Sequence, residues 1–303
     1  MPSIELRFNK DMIVMDGAMG SYLREFGVDK DDCVAELNLT EPETISQVHS
    51  FYKLAGAEAL TTNTFQANRL ALSRYGLENQ LEEINRAGLA LAREQKPFHI
   101  LASVGPVGLV SYPFIDPNIL EGSLKRIVEE ELQEAYDMFK EQIEILASEQ
   151  PDAILLETFT SLGEARMAVK AAKDTSDIPV MLSFVFNEDG RLLKTDESID
   201  EVVGAFSSLG ADAYGLNCMD PELSLKLVPK FTKQKDYPIF VRPSAGNPLS
   251  LEGVDRYPVS PDEFARYAQK FYEAQVQMIG GCCGTNPAHI GGVYGQIAQK
   301  SIK

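Results

Sequence analysis

The chain has 303 residues, a formal charge of −17 and an isoelectric point near 4.6. Nucleic acid and anionic membrane surfaces need a basic footprint, so neither is expected as a partner. Hydrophobic and charged shares of 44% and 24% fit a soluble globular protein; no run nears the ~18 apolar residues of a membrane span, and no basic segment leads into an apolar one at the start, so no secretory leader is expected.

Short apolar runs rich in β-formers recur along the chain. In order they are 12–17 (MIVMDG), 58–65 (EALTTNTF), 99–105 (HILASVG), 152–159 (DAILLETF), 179–186 (PVMLSFVF), 212–218 (DAYGLNC), 238–246 (PIFVRPSAG) and 276–283 (VQMIGGCC). Their nearly continuous apolar interiors predict parallel strands buried on both faces. Amphipathic stretches lie between them. The spacing predicts helices over 44–57, over 123–150 with Ser123 as N-cap, over 161–174 with Ser161 and Glu164 at capping-box spacing, and over 260–274 with Pro261 at the first turn.

Eight strands alternating with helices predict a (β/α)8 TIM barrel of the α/β class, a single domain over 1–303. A doubly wound open sheet is the rival, but no G-x-G-x-x-G follows the first strand, which weakens its dinucleotide-binding form. No internal repeat or Ser/Gly-rich linker divides the chain. Long loops over 106–118 and 247–258 follow strands three and seven, on the face where barrels build active sites.

The C-terminal strand ends converge on that face. They carry DGAMG (16–20), TNTF (62–65), ETF (157–159), GLNC (215–218) and GGCCG (280–284). Three of the four cysteines, Cys218, Cys282 and Cys283, therefore share one mouth, and three thiolates suit a zinc ion with an open fourth position. Adjacent cysteines on a regular strand point opposite ways. Gly280, Gly281 and Gly284 are expected to supply backbone angles that turn both sulfurs inward. So few scattered cysteines do not make a disulfide framework; metal binding in a cytoplasmic protein is the expectation. A zinc site already rich in thiolate favours alkyl transfer to a bound substrate sulfur over hydrolysis.

The segments DGAMGSYL, TNTFQANR, GLNC and GGCCGT, spread over about residues 10–295, together resemble the homocysteine S-methyltransferase family. The resemblance implies a zinc-containing barrel that methylates homocysteine to methionine. It further implies one zinc per chain on Cys218, Cys282 and Cys283, and an amino-acid pocket of Asp16, Gly17 and Glu157. Glu157 would pair with the ammonium group, while N–H groups near Gly17 and Ala18 would receive the carboxylate. Asn63, Thr64 and Asn217 stand where they either line the mouth or cap strand ends.

The methyl donor is expected to be methyl-folate or methylcobalamin linked, supplied by a partner corrinoid or folate-handling protein. The alternatives are S-methylmethionine or betaine as donor, or a homocysteine-presenting module inactive alone. There is no tryptophan, so a cage for betaine would rest on residues such as Tyr112 and Phe114. Cys33, His49, His99 and His289 are given no chemical role.

Overall fold

A computed structural model describes residues 3–7, 12–110, 112–251 and 254–298. Ser111 in the first long loop, and Glu252 and Gly253 in the second, lie outside the described residues. Eight parallel strands form one sheet: β1 (Ile13–Val14), β2 (Ala59–Thr61), β3 (His99–Val104), β4 (Ala153–Phe159), β5 (Val180–Phe184), β6 (Ala213–Asn217), β7 (Ile239–Arg242) and β8 (Met278–Ile279). The sheet runs β1-β8-β7-β6-β5-β4-β3-β2. A parallel bridge between Met15 and Ala59 joins its two edges and closes the barrel.

A helix follows each strand: α1 (Pro42–Leu54), α2 (Leu81–Glu94), α3 (Gly122–Ser148), α4 (Leu162–Thr175), α5 (Ile199–Gly204), α6 (Pro221–Thr232), α7 (Pro261–Glu273) and α8 (Pro287–Ala298). This is the (β/α)8 architecture that the alternating pattern predicts.

Strand alternation assigns the layers. Val14, Leu60, Ala102, Ile154, Leu182, Leu216 and Val241 face outward and pack with the helices in the larger core. Ile13, Met15, Ala59, Leu101, Ala153, Leu155, Met181, Ala213, Phe240 and Met278 form a separate cluster inside the barrel, and Ile4 joins them. Two residues further along, or four on β6, the same inward face turns polar, with Thr61, Ser103, Glu157, Ser183, Asn217 and Arg242, all buried. Apolar layers thus fill the barrel beneath a polar rim at the C-terminal ends. That rim is the floor of the site.

Local signals fall close to their expected places. Ser161 accepts the Glu164 N–H and caps α4, but the buried Glu164 carboxylate accepts from the Gly108 N–H instead and leaves the capping box incomplete. A full box stands instead at Ser198 and Glu201, ahead of α5. Ser123 is not a cap; α3 begins at Gly122 after Glu121. The loop after β7 contains an antiparallel hairpin, Leu249–Leu251 with Val254–Arg256.

Candidate functional site

The polar rim centres on a buried ionic triad that joins three strand ends. Arg242 Nη2 donates to Asp16 Oδ1 at 3.0 Å, and Arg242 Nη1 donates to Glu157 Oε2 at 2.9 Å. Asp16 also accepts from the Thr61 N–H at 2.6 Å and from Thr61 Oγ1 at 2.7 Å. Glu157 Oε1 accepts from Ser103 Oγ at 2.5 Å. Burial pushes the Asp16 carboxyl up to about 6, against the opposing pull of Arg242 and the Thr61 donors. Two carboxylates are affordable here because a guanidinium and three further donors meet them.

Asp16 and Glu157, which the family resemblance implies as pocket residues, are therefore brought together on Arg242. Arg242, which joins them, was not anticipated. Its signal was present: an arginine inside the apolar run PIFVRPSAG is costly unless partnered. Thr61 and Ser103 are likewise unanticipated, because a hydroxyl inside a strand carries no signature of its own.

The loop after β1 differs in part from expectation. The Ala18 N–H donates to Thr285 Oγ1 at 3.1 Å, so it is already committed within the protein. The Gly17 N–H donates to no described residue. Tyr52 braces this loop from α1 by donating its hydroxyl to the Ala18 carbonyl at 2.6 Å. The remaining rim residues bond within the protein. Asn63 donates to the Val34 carbonyl and to Asn38 Oδ1. Thr64, fully buried, donates to the Ser103 carbonyl. Asn217 bonds Thr158 and Ser183.

Beside the triad, Cys218 at the end of β6 meets Cys282 and Cys283 just past β8, and all three sulfurs lie within 4.8 Å of one another. Cys218 takes a left-handed φ of 54°, strained for a non-glycine residue, and its N–H donates to the Arg242 carbonyl. The three cysteines expected as metal ligands do come together, but not all of them are free here. Cys218 and Cys282 are joined by a disulfide, and Cys283 is free. Burial pushes the Cys283 thiol up, while a hydrogen bond from the Tyr257 hydroxyl favours its thiolate.

The glycines act differently from expectation. Only Gly284 of the three has positive φ, at 77°, and a Cβ there would sit 2.0 Å from Tyr257. Gly280 and Gly281 are required for close approach. A Cβ would lie 2.7 Å from the Asp16 carbonyl at the first and 2.3 Å from Thr285 Oγ1 at the second. The missing side chains let β8 end pressed against the loop after β1 at Gly280 and let the chain fold back onto Thr285 at Gly281.

The cluster fits a thiophilic metal in composition and spacing. Three thiolates on a tetrahedral zinc, each about 2.3 Å from it, stand roughly 3.8 Å apart. The fit holds for the reduced chain, because the Cys218–Cys282 bond must open before both sulfurs can donate. Two clefts flank the cluster. One of about 820 Å³ is lined by Cys218, Met219, Phe186 and Leu193. The other, about 990 Å³, is lined by Tyr257, Gly284 and Thr285.

The residues given no chemical role lie in structural places. Cys33 is packed in a small apolar cluster with Ala67 and Leu72. His49 is fully buried on α1. His99 sits at the N-terminal end of β3 beside Arg7, and His289 bonds Asn286 and the Val259 carbonyl. Phe114, one candidate for an aromatic cage, already lies against the Arg166 guanidinium at 4.6 Å.

A closed parallel barrel with three cysteine sulfurs and a buried acidic pair at its C-terminal mouth defines a (β/α)8 protein with a thiol-rich site. The family profile described as homocysteine S-methyltransferase matches residues 13–296, and the chain belongs to that family. It is 30% identical to a methionine synthase of Mycobacterium tuberculosis (strain ATCC 25618 / H37Rv) and 29% identical to one of Mycobacterium leprae (strain TN). Each alignment covers 95% of this chain but only 25% and 24% of those proteins, so the chain spans about a quarter of their length. In fold it is similar to the metallated form of the homocysteine methyltransferase MmuM from Escherichia coli. There the TM-score is 0.76 at 22% identity, over 96% of this chain and 98% of that one. The oxidized form of that protein matches with the same TM-score.

Proposed function

We propose that the chain transfers a methyl group to the thiol of homocysteine, giving methionine, with one zinc held by Cys218, Cys282 and Cys283. The observation that carries this reading is the meeting of three sulfurs within 4.8 Å beside the buried Asp16–Arg242–Glu157 triad. Zinc bound there supplies a Lewis acid that stabilises the substrate thiol as thiolate at neutral pH. The protein's own groups bind and align. Glu157 and Asp16 face the ammonium end, and the unspent Gly17 N–H suits the carboxylate. Methyl transfer makes one S–C bond on homocysteine and breaks the bond between that carbon and its donor. The rigid barrel contributes mainly by alignment.

Membership of the homocysteine S-methyltransferase family supports the acceptor. For the donor, we favour methyl-folate or methylcobalamin chemistry on a partner corrinoid or folate-handling protein, because the likeness to methionine synthases reaches 30% identity. S-methylmethionine is the second reading, the alternative small donor that the homocysteine S-methyltransferase resemblance leaves open. No helix among the described residues is long and apolar enough to cross a membrane, and a site needing three thiolates suits the reducing cytoplasm.

The test is a donor screen on reduced, zinc-loaded protein with homocysteine as acceptor and methionine as readout. Methylcobalamin, methyl-folate, S-methylmethionine and betaine form its arms. Methionine from methylcobalamin or methyl-folate is the expected outcome. Methionine from S-methylmethionine alone would favour the second reading, and none from any donor, with no homocysteine binding, would overturn both.

A further inference from the structure

Arg242 is a charged rim residue at the end of β7 that no sequence motif explains. It occupies an inward position of β7, two residues beyond Phe240, and is 4% exposed. Its Nη1 and Nη2 are taken by Glu157 and Asp16, with the Gly17 carbonyl 3.4 Å from Nη2. Its Nε is buried without an acceptor among the described residues. A buried guanidinium with one donor unsatisfied is a poor packing element. What holds it there is charge: two carboxylates less than 9% exposed, on the ends of two other strands.

We propose that Arg242 determines which charged thiols the mouth accepts, by bringing the Asp16–Glu157 pair from two net negative charges to one. Resting on the reading that an amino-acid thiol occupies the mouth, this deepens it. One net negative charge complements the single ammonium of a zwitterion and tolerates the carboxylate beside it. With two uncompensated carboxylates, the same pocket repels a substrate carboxylate and prefers a plain aminothiol. Like charges facing one another out of water are strongly disfavoured, so one buried cation is enough to set this preference. The Gly17 carbonyl near Nη2 ties the guanidinium to the loop whose free N–H suits the carboxylate, so both ends of the substrate are read from one arginine.

The experiment measures equilibrium binding by calorimetry on the reduced, zinc-loaded full chain, with no methyl donor present. The probes are homocysteine and 3-mercaptopropylamine, which keeps the thiol and amine but lacks the carboxylate. The readout is the ratio of the two affinities. Arg242→Gln is expected to lower the homocysteine-to-aminothiol ratio by about tenfold or more, while Arg242→Lys keeps it within about threefold. Asp16→Asn, which leaves the arginine and removes one negative charge, is expected to raise the ratio. A structural role alone would weaken both thiols in proportion, and an unchanged ratio in Arg242→Gln overturns the proposal. If Arg242→Gln does not fold, Asp16→Asn decides, and an unchanged or lowered ratio there is the overturning result. Wild-type protein that binds homocysteine yet methylates it from no donor would sink the functional reading while the ratio still judges Arg242. Wild-type protein that binds no homocysteine overturns both.

Discussion

Asn217 and Thr158 clasp each other across the barrel mouth. The Thr158 N–H donates to Asn217 Oδ1 at 3.0 Å, and Asn217 Nδ2 donates to Thr158 Oγ1 at 2.7 Å. Thr158 has φ 69°, a costly conformation for a β-branched residue, and follows Glu157 directly. Asn217 precedes Cys218, whose φ is 54°. One side-chain pair therefore holds two strained strand ends, one presenting a carboxylate and the other a sulfur.

Asn217→Ala breaks that clasp and strands the Ser183 hydroxyl, which also donates to Asn217 Oδ1. Leaving these buried groups unpartnered is expected to cost about 3 kcal/mol of stability. Urea denaturation measures that loss. Homocysteine affinity should fall in the same variant, because Glu157 and Cys218 lose their common support.

Metal content should follow the oxidation state of the cysteines. Fully reduced protein is expected to hold about one zinc per chain, and protein kept with Cys218–Cys282 bonded far less. Serine at position 218, 282 or 283 should abolish tight binding even under reductant. Metal analysis after gel filtration reads both results. Full zinc retention in any of the three serine variants would remove that cysteine from the ligand set.

Tyr257 reaches Cys283 from the loop after β7, and its hydroxyl favours the thiolate. Tyr257→Phe keeps the ring that packs over Gly284 and removes only that donor. Zinc affinity is expected to drop by about 10- to 100-fold, the usual effect of deleting an outer hydrogen bond to a ligand. Competition with a chromogenic chelator measures it.

His49 is the clearest source of pH-dependent stability outside the site. Neither ring nitrogen has a hydrogen-bond partner among the described residues, and burial lowers its pKa from 6.5 to about 4. Below pH 6.5 the unfolded chain takes up a proton that the folded imidazole refuses. Its contribution is therefore intact above pH 6.5 and lost as pH falls toward 4, by about 3 kcal/mol in all. His49→Leu should flatten the stability profile across that window and raise stability at pH 5. Thermal melts of both proteins between pH 4 and 8 check the sign.

The strand count, the helix between each pair and the gathering of Cys218, Cys282 and Cys283 at one mouth were legible in the chain, because period, punctuation and strand-end position are local properties. Asp16 and Glu157 were legible only through family likeness, since a lone carboxylate at a strand end has no partner written beside it. Tertiary structure decided the rest. It set Arg242 between residues 226 and 85 positions away, committed the Ala18 N–H to Thr285, and bonded Cys218 to Cys282. Gly280 and Gly281 make the point within the cysteine segment itself. Composition suggests freedom of φ, whereas what excludes a side chain is Asp16 of the loop after β1 at Gly280 and Thr285, just downstream, at Gly281. Sequence determined what each strand end carries. Closure of the barrel decided which of those groups meet, because contacts between strands depend on register and approach rather than on neighbours in the chain.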